Sequence, residues 1–207
     1  MHIPASSIAA LSVQPFDQAL QEEAALSKPY DHERWLYLPC RYTEYRYILG
    51  TRGQKPLICI GVNPSTAEPG NLDNTLKSVQ RIAKNNGFDS FVMFNVYAQR
   101  ATSPDDMDKT LDPRLHRENM RAFDWLLSRS GDNPTVWAAW GAVIEKRGYL
   151  PDCVREMITI GQRYGANWVT AGKRSKQKGH PHHPLYLKSD SPLDPFSEVE
   201  EYLLSLQ

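Results

Sequence analysis

The stretch Leu57-Ile58-Cys59-Ile60-Gly61-Val62-Asn63-Pro64-Ser65-Thr66 decides the fold. Its first four residues are apolar and predict a strand that is buried on both faces. Gly61 and Pro64 then end the strand, and the loop that follows is polar. Open α/β sheets bind ligands at polar loops that follow the carboxyl ends of buried strands. The stretch therefore predicts an α/β fold with a binding site beside Asn63.

Three further apolar runs predict three more strands of the same kind, over residues 91–96, 135–140 and 167–171. Helical periodicity separates the four runs, over about residues 73–86, 113–129 and 150–164. Strands that alternate with helices form parallel βαβ units. We therefore expect a three-layer α/β sandwich around a central, mostly parallel, four-stranded sheet, in a domain that spans residues 51–207.

The first 50 residues are expected to form an N-terminal extension that packs on this domain. A short acidic helix is predicted over residues 16–26, which Pro29 ends. Residues 34–50 are rich in Tyr, Arg and Leu, and their alternation predicts one or two strands.

Composition limits the classes of function. The chain of 207 residues carries 24 Lys and Arg and 24 Asp and Glu, so any contact with nucleic acid needs a local basic patch. The three cysteines form no CxxC pair, which argues against a disulfide scaffold or a cysteine zinc site. No stretch approaches the roughly 20 apolar residues of a membrane span. No signal peptide is evident either, so a cytoplasmic protein without membrane contact is expected, with its oligomeric state open.

A second polar loop lies near the other end of the chain, at Gly179-His180-Pro181-His182-His183-Pro184-Leu185-Tyr186. Four cations precede it, namely Lys173, Arg174, Lys176 and Lys178. Their density predicts a phosphate-binding patch, although short basic runs are also common on solvated surfaces. Two prolines stiffen the loop and no HxxxH or HExxH spacing occurs, so no metal site is predicted.

Four collinear segments resemble motifs of the uracil-DNA glycosylase superfamily. Residues 61–64 resemble the water-activating loop, GQDPYH or GINPG, and residues 91–95 resemble the strand LLLN. Residues 140–148 are similar to the segment WGxxAxKKG, and residues 180–185 are similar to the leucine loop HPSPL. The resemblance covers about residues 55–205. More closely, the chain resembles the uncharacterised bacterial DUF1643 family, whose members share the NPST and HPLY signatures.

The glycosylase resemblance implies a catalytic set. Asn63 would place the attacking water where the uracil-specific enzymes carry Asp, although Asn also suits the turn before Pro64. Asp73 would supply a base, or would simply cap the helix that follows. Either His180 or His183 would stabilise the leaving base, since HPHHPL is one residue longer than HPSPL. No cofactor is needed for this chemistry.

The resemblance also implies a set of residues that bind the base. Asn95 would read the edge of a pyrimidine, because its amide has both a donor and an acceptor. Leu185 would fill the gap left by a flipped base. The remaining candidates for contacts with the base or substrate are Gly61, Pro64, Ser65, Thr66, Tyr97, Arg100 and Tyr186. Ser65 and Thr66 stand where an aromatic ring excludes thymine in the uracil-specific enzymes, so a larger or modified base is expected.

The leading interpretation is an N-glycosylase of the DNA repair type, which recognises a nucleobase and removes it hydrolytically from DNA or from a nucleotide. A second interpretation is a non-catalytic module that binds a modified base or nucleotide, because the loop lacks the catalytic Asp. A third is a metal-assisted hydrolase built on the histidine loop and Asp73. The expected partner is nucleic acid or a nucleotide in the first two cases.

Overall fold

The computed structural model describes residues 1–4, 11–25 and 29–206. Helices and strands alternate along most of this part of the chain. The α-helices in it are α1 Phe16–Ala25, α2 Asn74–Asn85, α3 Pro113–Ser128, α4 Leu150–Gln162 and α5 Val199–Leu204. The strands in it are β1 Trp35–Leu38, β2 Ile48–Thr51, β3 Pro56–Gly61, β4 Ser90–Asn95, β5 Thr135–Ala138, β6 Asn167–Ala171 and β7 Leu193–Pro195. The fold is therefore mixed α/β.

All of these strands form a single sheet in the order β1-β2-β4-β3-β5-β6-β7. The four central strands, β4, β3, β5 and β6, are parallel, and they are the four strands predicted from sequence. The prediction of a four-stranded sheet is wrong, because β1, β2 and β7 extend the sheet with antiparallel pairs. Strands β1 and β2 correspond to the one or two strands that the alternation of residues 34–50 predicts. Strand β7 has only three residues, too few to show a clear period.

The N-terminal part of the chain joins the sheet through β2, which pairs with β4. Gly50 makes this pairing possible, because a Cβ atom there would overlap the backbone carbonyl oxygen of Phe91. Helix α1 ends at Ala25, and Leu26, the last residue of the predicted acidic helix, lies outside the described residues. Residues 5–10 and 27–28 of the predicted extension lie outside them as well.

Helices cover both faces of the sheet. Helix α2 packs Leu76, Val79 and Ile82 against one face, where Cys59 and Met93 point. Helices α1, α3, α4 and α5 pack against the opposite face, which presents apolar side chains from β3, β4 and β5. No helix in the described ranges is both long enough and apolar enough to cross a bilayer.

Polar residues at the ends of the helices fix where they begin and stop. The Asp73 carboxylate accepts a hydrogen bond from the backbone N–H of Leu76 at 2.9 Å and so caps α2. Asp112 caps α3 in the same way. Gly87, which follows the end of α2, has φ +78°, a conformation that glycine adopts at little cost. Parallel pairing then places Gly61, at the end of β3, opposite Asn95, at the end of β4.

Candidate functional site

A cleft of about 780 Å³ opens at the carboxyl ends of the central strands. Its walls come from the loops that follow β3, β4, β5 and β6 and from the first turn of α2. The loop 61–65 lies on one side and the histidine loop 180–186 on another, although the two are far apart in the sequence. The parallel order of the strands brings them together, because all four strands end at the same edge of the sheet.

Asn63 lines the cleft in a fixed orientation. Its Nδ2 donates hydrogen bonds to the backbone carbonyl oxygens of Ala101, at 2.8 Å, and Pro64, at 3.1 Å. Its Oδ1 has no hydrogen-bond partner among the described residues. The side chain therefore offers the cleft an acceptor in a defined position.

Asp73 also lines the cleft, while one oxygen of its carboxylate caps α2. Among residues 1–4, 11–25 and 29–206, that cap is the only hydrogen bond of the carboxylate. The second oxygen is therefore left as an acceptor for a ligand or a water. Asp73 thus carries a negative charge into a cleft that is otherwise lined by neutral and basic groups.

His180 is buried and both of its ring nitrogens are engaged. Nδ1 lies 2.8 Å from the Tyr202 hydroxyl, and Nε2 lies 2.8 Å from a carboxylate oxygen of Glu145. The same hydroxyl accepts a hydrogen bond from Trp140 Nε1 at 3.2 Å. His180 therefore anchors the histidine loop to α5 and to the segment after β5, and no ring nitrogen is left for a ligand.

His183 presents the opposite case. Its Nδ1 accepts a hydrogen bond from the backbone N–H of Leu185 at 3.4 Å, which places the ring proton of the neutral form on Nε2. Burial lowers the pKa of His183 below its ordinary value of 6.5, and attraction to Asp73 opposes this shift. At neutral pH the ring is therefore uncharged, with its Nε2–H available as a donor in the cleft.

The third histidine, His182, lines the cleft too, but the loop does not gather a ligand set. No group of three or more His, Cys, Asp or Glu side chains in the described part of the chain is placed to hold a metal ion. The reason lies in the ring orientations, since His180 turns toward Tyr202 and Glu145.

Two large apolar side chains stand at the mouth of the cleft. The side chain of Leu185 is 48% exposed and that of Tyr186 is 82% exposed. The Tyr186 ring packs edge-on against His183, with 6.1 Å between the ring centroids. Both residues lie in a 3-10 turn that Pro184 begins. The tip of the histidine loop therefore offers an apolar surface directly beside the cleft.

The basic residues before the histidine loop divide into two pairs. Arg174 forms an ion pair with Glu198 and lies over the Phe196 ring at 4.6 Å, and Lys178 forms an ion pair with Glu145. Lys173 and Lys176 are exposed and have no ion pair with any described residue. Of these four basic residues, Lys173 and Lys176 are therefore the two that are available to bind a phosphate.

The structure does not bring every predicted residue to the cleft. Asn95 is 1% exposed and lies behind Gly61, where a Cβ atom would come within 3.1 Å of its Nδ2. Tyr97 lies in the core, where its hydroxyl accepts a hydrogen bond from the backbone N–H of Asp112 at 3.1 Å. Thr66 is absent from the walls, and Arg100 is buried beneath the Ser65 backbone.

The sequence pattern of one protein family matches residues 46–185, and that family is described as a protein of unknown function (DUF1643). The chain belongs to the DUF1643 family. This confirms the closer of the two resemblances, and the matched segment contains both loops of the cleft except for Tyr186. No curated protein and no solved structure matches the chain.

Within the DUF1643 segment, sequence reasoning missed Arg46 and Glu145. Arg46 is 1% exposed and contributes to the cleft wall, and it donates to Asn95 Oδ1 and to the Ala67 carbonyl oxygen, each at 3.3 Å. A charged residue inside a run of Tyr and Leu is the signal that would have found it. Glu145, which holds His180, has no such signal, because it is an exposed carboxylate beside Lys146 and its partner His180 is distant in sequence.

Proposed function

We propose that the cleft binds a nucleobase and hydrolyses the N-glycosidic bond that joins the base to its sugar, in DNA or in a nucleotide. One observation carries the proposal: Asn63 and His183 line the same cleft, and neither Asn63 Oδ1 nor the Nε2–H of His183 has a hydrogen-bond partner among the described residues. The four segments that resemble motifs of uracil-DNA glycosylases support the same chemistry, and both residues lie in those segments.

Hydrolysis of this bond needs an oriented water and a group that receives its proton. Asn63 Oδ1 accepts a hydrogen bond from the water but cannot take its proton, because an amide is not a base. The Asp73 carboxylate lines the same cleft and has a free oxygen, so it receives the proton. The water oxygen then forms the new bond to the sugar carbon.

The electron pair of the broken C–N bond moves onto the base, which leaves as an anion. A donor placed where this charge develops stabilises the transition state. Neutral His183 fills this role, since its Nε2–H points to no partner among the residues that the structure describes. A neutral donor also avoids burying a second charge beside the anion.

Recognition of the base involves the floor and mouth of the cleft. Asn95 lies beneath Gly61 and does not line the cleft, but its Oδ1 accepts a hydrogen bond from Arg46, which does. Ser65, with a small hydroxyl, leaves room for a modified base. Leu185 at the mouth replaces a base that has left the stack, and Lys173 and Lys176 meet backbone phosphate.

The observation that Asn63 cannot act as a base favours one second candidate, a module that binds a modified base or nucleotide without turnover. In that case Asp73 serves only as a helix cap. The histidine loop does not favour a metal-assisted hydrolase, because both ring nitrogens of His180 contact Tyr202 and Glu145.

A glycosylase screen tests the proposal. The purified protein is incubated, with and without chelator, with oligonucleotides that carry uracil, hypoxanthine, xanthine, thymine mismatches or phage-type modified pyrimidines. We expect release of one base that is insensitive to chelator and absent in Asn63→Ala. His183→Gln should lower the rate by about 10²-fold or more, the usual contribution of a positioned proton donor. His32→Gln, an exposed histidine outside the cleft, is the matched control.

The other outcomes decide between the candidates. No release from any substrate, with saturable binding of one of them, indicates the binding module. Release that stops with chelator indicates metal chemistry. Release that continues at the wild-type rate in both Asn63→Ala and His183→Gln contradicts the assignment of the cleft.

A further inference from the structure

Two arginine side chains are buried at the cleft, and neither has an acidic partner among the residues that the structure describes. Arg46 is 1% exposed and Arg100 is 0% exposed. Neither forms an ion pair with a described carboxylate, although the buried Asp, Glu and His side chains in the described part of the chain do form ion pairs. A buried guanidinium without a counter-ion is costly, so proteins retain it where something else supplies the negative charge.

The partners that the two arginines do have are neutral. Arg46 donates to Asn95 Oδ1 and to the Ala67 carbonyl oxygen, while Arg100 donates to the Tyr37 hydroxyl at 2.9 Å and to the same Ala67 oxygen at 3.4 Å. The Nε atoms of both arginines are buried with no partner among the described residues. The two positive charges thus share one acceptor and repel each other.

Burial and the neighbouring charge of Arg100 both disfavour the protonated form of Arg46. Burial, and secondarily repulsion by Arg100, lowers the pKa of Arg46 to about 9. Attraction to Tyr37 and Asp73 opposes this shift only in part. The region around Arg46 and Arg100 therefore keeps a positive electrostatic potential, even with Tyr37 and Asp73 nearby.

Arg46 is the member of the pair that a ligand meets, because it lines the cleft and Arg100 does not. The first turn of α2 forms another part of the wall through Asn74 and Thr75, whose backbone N–H groups belong to the positive end of the helix. Asp73 is the only carboxylate on the walls formed by described residues, and one of its oxygens is used by the cap. Among the described residues, the cleft wall thus carries one arginine and one aspartate, together with the positive end of α2.

We propose that the floor of the cleft is an oxyanion site in which Arg46 binds a phosphate or carboxylate group of the ligand. The planar guanidinium suits both groups, since each can accept two parallel N–H donors. A phosphate would come from a nucleotide and a carboxylate from an acidic modification of the base. The inference rests on the proposed function only for placing the ligand in this cleft.

Calorimetric titration tests the site with inorganic phosphate in one arm and acetate in the other, at constant ionic strength in chloride. We expect one of the two anions to bind with a stoichiometry of one. Its affinity should fall at least about tenfold in Arg46→Gln, which is a loss of about 1.4 kcal/mol. Phosphate binding identifies the nucleotide source, and acetate binding identifies the carboxylate source. Arg41→Gln, an exposed arginine outside the cleft, is the matched control.

Arg46→Lys guards against a variant that fails to fold. It keeps the charge but loses the planar fork, so the anion should bind severalfold more weakly than in the wild type. Equal affinity in the wild type and in both Arg46 variants overturns the inference, as does the absence of saturable binding by either anion. Binding that is lost instead in a Lys173→Gln/Lys176→Gln variant also overturns it, because the anion then lies on the surface loop.

The result is separable from the proposed function. Anion binding that depends on Arg46, together with no base release, rejects hydrolysis and keeps the oxyanion site. If the base is released but anion binding does not depend on Arg46, the oxyanion site is rejected and hydrolysis is kept.

Discussion

Replacement of Asn63 by aspartate tests why this loop carries an amide. Under the proposed glycosylase function, the exchange looks favourable for catalysis, because the motif GQDPYH has Asp at the position that corresponds to Asn63. In this structure, however, Asn63 Nδ2 donates to the carbonyl oxygens of Ala101 and Pro64, at 2.8 and 3.1 Å. A carboxylate oxygen in place of Nδ2 has no hydrogen to donate and would repel these two carbonyl oxygens.

The magnitude follows from these two hydrogen bonds. Asn63→Ala removes both, and since each contributes about 1 kcal/mol, the variant should lose about 1–2 kcal/mol of unfolding free energy. Asn63→Asp also adds repulsion and an unfavourable burial of charge, which should cost about 1–3 kcal/mol more. For a protein of this size, that difference corresponds to a melting temperature about 2–12 °C below that of Asn63→Ala.

The pH dependence distinguishes this cause from a simple loss of contacts. A protonated carboxyl can donate to one of the carbonyl oxygens, so its pKa in the folded state lies above the unfolded value of about 3.9. The extra destabilisation is therefore complete above the folded-state pKa and declines as the pH falls through it. Asn63→Ala has no such group and provides the control.

Thermal unfolding of both variants and the wild type at pH 7 and pH 4 measures the effect. We expect Asn63→Asp to be the least stable at pH 7 and to approach Asn63→Ala at pH 4. The reasoning is refuted if the two variants unfold at the same temperature at pH 7, or if the gap between them is as large at pH 4 as at pH 7.

Three further predictions concern neighbouring residues. Gly61→Ala places a Cβ atom 2.6 Å from Met93 Cε, so it should cost about 1–3 kcal/mol in chemical denaturation, and Met93→Ala in the same chain should restore part of the loss. Asp73→Ala removes the hydrogen bond from the backbone N–H of Leu76 and should cost about 1 kcal/mol of unfolding free energy. Asp73→Ser keeps a cap and should unfold close to the wild type, but it should lose any base release that needs Asp73 as proton acceptor. Because burial lowers the pKa of His183, protonation favours the unfolded chain. The wild type should therefore lose stability relative to His183→Gln as the pH falls below 6.5, and parallel pH profiles would contradict the buried neutral ring.

The central part of the fold could be predicted because its strands are continuous apolar runs. Burial on both faces leaves few alternatives for a segment such as β3, and Gly87 marks the end of α2 directly. Strand β7 could not be predicted, since three residues with an aspartate and a proline carry no period. Strand β7 forms only by pairing with β6, which is not adjacent to it in sequence.

The candidate site could be predicted loop by loop, but its internal arrangement could not. The polar loops after β3 and β6 identified Asn63 and the histidines, because polar groups at strand ends are a local signal. The difference between His180 and His183 is set by Tyr202 and Glu145, which approach only in the folded chain. Asn95 was expected to face the ligand, yet the close packing at Gly61 keeps it below the surface, and no local pattern shows this.

The supports of the cleft reach beyond the segment that identifies the family. Tyr37 of β1 holds Arg100, and Tyr202 of α5 holds His180, and both residues lie outside 46–185. A chain trimmed to the family boundaries would keep all of the cleft walls except Tyr186, but it would lose these two hydroxyls and the strand and helix that carry them. The smallest piece able to fold around this cleft is therefore longer than the stretch by which its relatives are recognised.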